Sequence, residues 1–376
     1  MPSQRRKRLT HRELIFRHAL ARELWRQAPP DWLDLESALR IQRYSWLLFL
    51  PLISPTTTRK SDLETLIPLV ILQILLIVNS FASSVNPRNT VAVHQYLARH
   101  HSVQVVETNE RGHATRFAQD AASRGVELVV AFGGDGTLNE VATGLAGSNT
   151  ALMMLPGGST NVFVRSLGAA NDPIAALQQF SSGLDHNNIH PISLGRANGR
   201  YFCFHAGIGF DAAVVELVER RASLKRIIGQ PLFGLATMQA WFGGYDRKYP
   251  HFSVEIDGAK IPNGYFTVVL NSNPYTYVGK MPVNLSTAAS IDKKLVAVTF
   301  RKLTTPLMVR TILQSVRNDQ ISALPGIDIR TEVEDVKINF AAPFPYQLDG
   351  DYLGELTSLH IEHCPDALRL VKPIIV

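Results

Sequence analysis

The sequence predicts an α/β fold in which a doubly wound parallel sheet is followed by an antiparallel β-sandwich, and three observations predict it. From residue 71, short apolar runs alternate with helix-compatible stretches at the short period of βα units. Two glycine-punctuated loops in that stretch each follow a strand-like run and lead into a helix-like one, which is where open α/β sheets bind ligands. After about residue 190 the texture changes to period-2 runs rich in aromatic and β-branched residues, separated by turns. The expected boundaries are an N-terminal extension over 1–65, an α/β domain over 66–190, a sandwich over 191–350 and a closing segment over 351–376.

Strands are expected over 73–78, 102–107, 127–132 and 150–155, runs such as ILLIV and ALMML that are too short for helices and apolar on both faces. Helices are expected between them, over 88–100, 112–124, 137–146 and 172–182. The second half follows as RYFCFHAGIGF, HFSVEIDG, GYFTVVLNSN, KLVAVTF, VKINF and LHIEH, interrupted by one helix, Ala212–Leu224. No internal repeat or low-complexity tract occurs.

At 376 residues with 45% hydrophobic and 19% charged content, the chain can bury a core of two domains. Two cysteines, Cys203 and Cys364, offer neither a disulfide framework nor paired metal spacing, so a reducing cytosol is the expected compartment. Charge is uneven. Residues 1–60 carry 12 Lys and Arg against 5 Asp and Glu, a net +7, while the whole chain is +6; the remainder is therefore −1.

Within the extension, Arg5-Arg6-Lys7-Arg8 precedes a capping box at Thr10 and Glu13. Leu9, Phe16, Leu20 and Leu24 then recur at helical spacing among arginines. Such a helix can lie on an anionic membrane surface or dock on a partner. The apolar run LIPLVILQILLIV has 13 positions and contains Pro68 and Gln73, short of the roughly 18 needed to span. Trp46–Ile53 is shorter still, so the expectation is a cytoplasmic protein held peripherally at a membrane. Despite a pI near 9.3, nucleic acid is not an expected partner, because the basic excess lies in the extension and no recognition motif is present.

The two loops carry the chemistry. Residues 127–165 read ELVVAFGGDGTLNEVATGLAGSNTALMMLPGGSTNVFVR, and backbone N–H groups at a helix start favour anions where glycine lets the backbone close on a phosphate. This makes the first domain nucleotide-binding. A Rossmann fingerprint fails because its last glycine is Asn139, and a Walker A loop fails because no lysine follows Gly136. Asp135 repels phosphate, so a carboxylate there requires a cation or a donor network; Mg²⁺ acting through water would satisfy it.

The residues Gly133-Gly134-Asp135-Gly136-Thr137, Asn139-Glu140, Pro156-Gly157-Gly158-Ser159-Thr160-Asn161 and Arg165 resemble the diacylglycerol kinase and sphingosine kinase family. Asn79, Thr108 and Leu348-Asp349-Gly350-Asp351 extend the resemblance, in order, from about Gln73 to the C-terminus. NAD kinases share GGDGT but not the second loop. The resemblance implies an α/β nucleotide domain, a β-sandwich and a C-terminal return to the first domain. It also implies ATP and Mg²⁺ as cofactors and a lipid alcohol, diacylglycerol first, as substrate.

Carried over, Asn79, Thr108, Gly133, Gly134, Asp135, Gly136, Thr137, Leu138, Asn139, Gly158, Ser159 and Thr160 bind ATP, with Asn161 and Arg165 in the second loop. Asp351 takes the proton of the lipid hydroxyl and Asp349 precedes it; the same LDGD would serve as a plain hairpin turn. Asp211 in Gly-Ile-Gly-Phe-Asp-Ala is placed for substrate contact.

Two positions depart from the family pattern. Val162 stands where an aspartate is usual, with Asp211 as a candidate compensation. The metal turn reads Ser290-Ile291-Asp292-Lys293-Lys294-Leu295, with Asp292 kept and a lysine in place of glycine. Alternatives are a sphingoid-base or other long-chain alcohol kinase, and an inactive lipid- or nucleotide-binding relative. A homodimer is compatible with the sequence.

Overall fold

Four short apolar runs form the parallel half. Strands β1 (Gln73–Val78), β3 (Leu128–Gly133) and β4 (Ala151–Pro156) are buried almost end to end, while β2 (Ser102–Glu107) is the exposed edge. They pair in parallel in the order β4-β3-β1-β2. Strands buried on alternate and intervening positions need cover on both faces. Two helix pairs supply it: α1 (Pro87–Leu97) packs with α5 (Pro173–Asp185), and α2 (His113–Ser123) packs with α3 (Asp135–Leu145). Local sequence starts these helices where expected. Asn86 accepts from the N–H of Asn89 ahead of Pro87, and Asp172 accepts from Ile174 and Ala175 ahead of Pro173. A one-turn helix, α4 (Val162–Ser166), follows the second glycine loop.

This structure is a computed structural model and describes residues 71–220, 236–317, 321 and 324–375, all within the compact unit Leu69–Val376. The basic helix, Trp46–Ile53 and the start of the apolar run before β1 lie outside the described residues. Among the described residues no helix is long and apolar enough to cross a membrane.

The second half is antiparallel, and two long strands organise it. Strand β15 (Asp335–Leu348) pairs with β8 (Phe252–Ile256) through Val336–Asn339. After an irregularity between Asn339 and Phe344, it pairs with β7 (His205–Gly209) through Tyr346–Leu348. One strand thus serves two layers, and Phe252 and Phe344 meet between them at 5.5 Å within a core that includes Ile208, Val254 and Leu359. Strand β16 (Asp351–Val371) pairs with β15, then with β5 (Ile189–Ala197), and finally runs parallel to β4 at Arg369 and Leu370. Leu359 and Ile361 of β16 lie in the sandwich core, whereas Leu368, Leu370 and Val371 lie in the core of the parallel half. The two expected sheets are in consequence hydrogen-bonded into one.

A third core lies on the outer face of β10 (Phe266–Leu270) and β13 (Leu295–Phe300), where Phe266 stacks on Phe300 at 3.9 Å. Helix α6 (Phe210–Glu219) covers it, with a π-helical turn, Ala240–Gly244, beside it. The expected helix 212–224 begins two residues earlier, and its last residues fall outside the described ones. A second helix, α7 (Thr305–Arg317), contradicts the expectation of a single helix in this half. Its buried stripe is Leu307, Thr311 and Ser315, so two of three inward positions are polar and the 3.6-residue apolar period is hidden.

Because β16 contributes to two cores, Leu370→Ala and Leu359→Ala should each lower stability by about 2–5 kcal/mol. Both should shift the same single urea transition, read by fluorescence and circular dichroism together. Two resolved transitions would show that the halves unfold separately.

Candidate functional site

The glycine loops stand side by side because β3 and β4 are in register through Gly133 and Pro156. They touch backbone on backbone. Gly157 N–H donates to Gly133 O at 2.8 Å, and a Cβ on Gly158 would lie 2.9 Å from Gly134 Cα. A Cβ on Gly133 would lie 2.7 Å from Thr137 Cβ, so the approach of α3 to β3 also demands glycine. Asn79 ties the tip of β1 to this loop by donating to Thr137 Oγ1 at 2.8 Å. Thr108 is buried at the end of β2 and donates its N–H to Val78 O.

Asp135 opens α3 and accepts from the N–H groups of Val162 at 3.0 Å and Phe163 at 3.3 Å. These are the unpaired amides that begin α4, so the donor network that a carboxylate needs here is backbone. Val162 supplies one of those amides while its side chain is buried in the core. Asn161, at φ 50°, accepts from Gly158 N–H and donates to Gly158 O, both at 2.8 Å, which fixes the second loop. Ser159 is exposed on its rim. Arg165 donates to Thr160 O at 3.3 Å and to Gly279 O at 3.0 Å, and lies 3.5 Å over the Tyr277 ring. A void about the size of one water molecule lies where Gly133, Gly134, Asp135 and Asn161 meet the apolar side chains of Leu138, Met154, Leu155 and Val164.

Leu138 and Asn139 face inward, so only their backbones are near the loop. Leu138 is core. Asn139 Nδ2 donates to Tyr201 O at 2.9 Å and to Asp349 Oδ2 at 2.8 Å. Glu140 accepts from Gly112 and Ala114 N–H, an anion at the start of α2.

Asp349 and Gly350 are the two central residues of the hairpin joining β15 to β16, with φ of 50° and 82°. An Asp-Gly pair at positive φ is what a type I′ turn requires. The hairpin reading of LDGD therefore holds, and its consequence is to place Asp351 at the first position of β16. Asp351 Oδ1 stands 3.5 Å from where a Cβ on Gly136 would be, against the start of α3.

Asp349 is buried and accepts four donors: Asn139, and the N–H groups of Cys203 (2.6 Å), Phe204 (2.9 Å) and His205 (3.0 Å). Burial pushes its carboxyl up to about 6, against the pull of those donors. Burial likewise holds the His205 imidazole down at about 4, with Asp211 opposing.

Asp211, at the start of α6, accepts from the hydroxyl of Tyr275 and from Gln347 Nε2 at 2.7 Å. A Cβ on Gly207 would sit 1.6 Å from Asp211 Oδ2, so the glycine of Gly-Ile-Gly-Phe-Asp makes room for this carboxylate. Both oxygens of Asp292 are paired with Lys372 Nζ, at 2.9 and 3.1 Å, so an ammonium already fills the position a resident cation would take there. Among the described residues no group of three or more His, Cys, Asp or Glu is placed to hold a metal ion.

Several neighbours were not read from the sequence. Arg200 Nη2, on β6 (Arg200–Phe202), lies 3.3 Å from both Asn139 Oδ1 and Asp351 Oδ2. Glu219 accepts from Tyr352 N–H at 3.1 Å and from Arg111 at 3.3 Å. No spacing signals them, since each reaches the site by long-range pairing.

A paired-loop α/β half coupled through a carboxylate hairpin to an antiparallel half is the architecture of a lipid kinase. The diacylglycerol kinase catalytic domain family matches residues 73–197. A diacylglycerol kinase of Bacillus subtilis is 30% identical over 252 residues, covering 65% of this chain and 78% of that protein. A Xanthomonas campestris protein described as a "probable lipid kinase YegS-like" is 30% identical over 280 residues, covering 71% and 85%. The crystal structure of a diacylglycerol kinase from Bacillus anthracis superposes with a TM-score of 0.64 at 23% identity, over 80% of this chain and 96% of that one, and shows the fold. The chain belongs to the diacylglycerol kinase family of lipid kinases, and ATP use comes with that membership.

Asp349→Ala strands four buried donors and should cost at least about 3 kcal/mol, read as a lowered urea midpoint. The His205 shift gives a pH signature. An imidazole held neutral at about 4 contributes stability that is intact above its unfolded value of 6.5 and is lost as pH falls toward 4. The Asp349 shift has the opposite sign, favouring the fold as pH falls through about 6. His205→Gln should therefore lose about 3 kcal/mol less than wild type between pH 7 and pH 4, with the Asp349 contribution common to both.

Proposed function

We propose that this protein transfers the γ-phosphoryl group of ATP to the primary hydroxyl of a diacylglycerol-like lipid, with Asp351 as general base. The observation that carries this reading is the placement of Asp351 against Gly136, at the start of the helix that follows the first glycine loop. The backbone of Gly133–Thr137, with Asn79 and Thr108 at neighbouring strand ends and Gly158–Thr160 opposite, provides the cradle for the triphosphate. The hydroxyl oxygen attacks the γ-phosphorus, the bond to the ADP oxygen breaks, and the hydroxyl proton passes to Asp351.

The donor set fits Mg²⁺ carried on the triphosphate, held by phosphate oxygens and water with Asp135 nearby, better than a cage of protein ligands. Such an ion would offset phosphate charge. On this reading residues 66–190 hold the nucleotide and 191–350 face the lipid, and the basic extension brings the enzyme to an anionic membrane surface.

A neutral head group is favoured over a sphingoid base. Among the described residues, two carboxylates that could receive the ammonium of a sphingoid base are already engaged: Asp211 by Tyr275 and Gln347, Glu219 by Arg111 and the Tyr352 amide. The diacylglycerol kinase name of the B. subtilis relative points the same way.

The test is transfer of labelled phosphate from Mg-ATP into diacylglycerol, sphingosine, monoacylglycerol and polyprenol in mixed micelles. Label should enter diacylglycerol preferentially. Asp351→Asn should lower turnover by about 10²- to 10⁴-fold with ATP binding kept, and Asp135→Ala should weaken ATP binding. Retained ATP binding without label in any lipid would identify an inactive relative.

A further inference from the structure

We propose that Arg200 is a positioning residue that holds the Asp351 carboxylate in register with the nucleotide loop, an inference resting on the base assignment above. Strand β6 is fastened to α3 one residue away, where Tyr201 O accepts from Asn139 Nδ2 at 2.9 Å. From that fixed point a single nitrogen, Nη2, is shared between Asn139 Oδ1 and Asp351 Oδ2, each 3.3 Å away. The guanidinium therefore bridges the helix that carries the first glycine loop and the strand that carries the base. The two N–H bonds on Nη2 allow one nitrogen to serve both acceptors, and the guanidinium charge is permanent.

The two oxygens of Asp351 differ in their side-chain partners. Oδ2 is anchored by Arg200. Both oxygens lie against Gly136, Oδ1 at 3.5 Å and Oδ2 at 3.7 Å from where its Cβ would be, and Oδ1 has Arg111 at 4.0 Å. Arg111 is 70% exposed and lies closer to Glu219, at 3.3 Å, so it does not fix the carboxylate. The anchored pair is better shielded, with Arg200 36% and Asp351 25% exposed. With Oδ2 held by Arg200, the carboxylate is kept against the phosphate loop, where a hydroxyl proton must be received. Turnover depends steeply on such alignment, and a displacement of about 1 Å can cost about 100-fold.

The experiment compares Arg200→Ala, Arg200→Lys and wild type in the micelle assay, each also in the Asp351→Asn background, with urea midpoints as folding controls. Expected for Arg200→Ala is a kcat lower by about 10- to 100-fold, with KM for ATP and for lipid within about threefold. Added guanidinium ion should restore part of the lost kcat, and Arg200→Lys should lie between wild type and Arg200→Ala. In the Asp351→Asn background, Arg200→Ala should remove less than about a further twofold.

A raised KM for ATP with kcat kept would overturn the proposal, since Arg200 would then be a phosphate ligand. So would an undiminished effect of Arg200→Ala in the Asp351→Asn background. Full turnover by Asp351→Asn alone would overturn the base assignment and this role with it, which separates the two failures.

Discussion

The buried carboxylate of Asp349 is the interaction on which the rest of the structure depends. Four donors from two segments converge on it, the Asn139 amide from the nucleotide half and three consecutive backbone N–H groups at 203–205, and the acceptor's own chain is the β15–β16 hairpin. A charge in that position is costly unless every lone pair is satisfied, so the requirement runs outward from it. The bend between β6 and β7 that supplies the amides, the helix that supplies Asn139 and the turn that presents the carboxylate must all be correctly placed at once. Asp351 inherits its position from this arrangement, two residues further along a turn with both φ values positive.

Much of the architecture could be read in advance where side-chain pattern and structure share a period. The four parallel strands fall within a residue of expectation because buried strands are unbroken apolar runs bounded by loops. Helices α1 and α5 are announced by Asn86-Pro87 and Asp172-Pro173, which cap locally. Helix α7 was missed because Thr311 and Ser315 occupy its inward face. The joining of two sheets by β16 was equally invisible: a strand's neighbours are decided by register and packing over long sequence separation, and LHIEH records only alternation.

The site divides along the same line. Glycines at 133, 157 and 158 could be located from sequence because close backbone approach excludes any Cβ, whatever surrounds it. The direction of the polar side chains could not. Asn139 reads as a loop residue beside the phosphates, yet its amide faces inward to Tyr201 and Asp349. Asp211 reads as a substrate contact, yet both its oxygens are engaged by Tyr275 and Gln347. Glu140 caps the neighbouring helix. In each case the partner comes from a segment tens to hundreds of residues away, and one sequence carries no trace of that pairing.

Strand β16 also alters what counts as a module in this chain. The segment matched by the catalytic-domain family ends at residue 197, but the core it builds includes Leu368, Leu370 and Val371 from the far end of the sequence. The nucleotide half is therefore discontinuous. A fragment cut at its apparent boundary would leave β4 as an open edge, its N–H and C=O groups unpaired beside exposed apolar side chains, and such edges recruit strands from other molecules. Exchange of antiparallel halves between relatives, in the laboratory or by recombination, has to carry both ends of the inserted chain together or deliver a protein that associates with itself instead of folding.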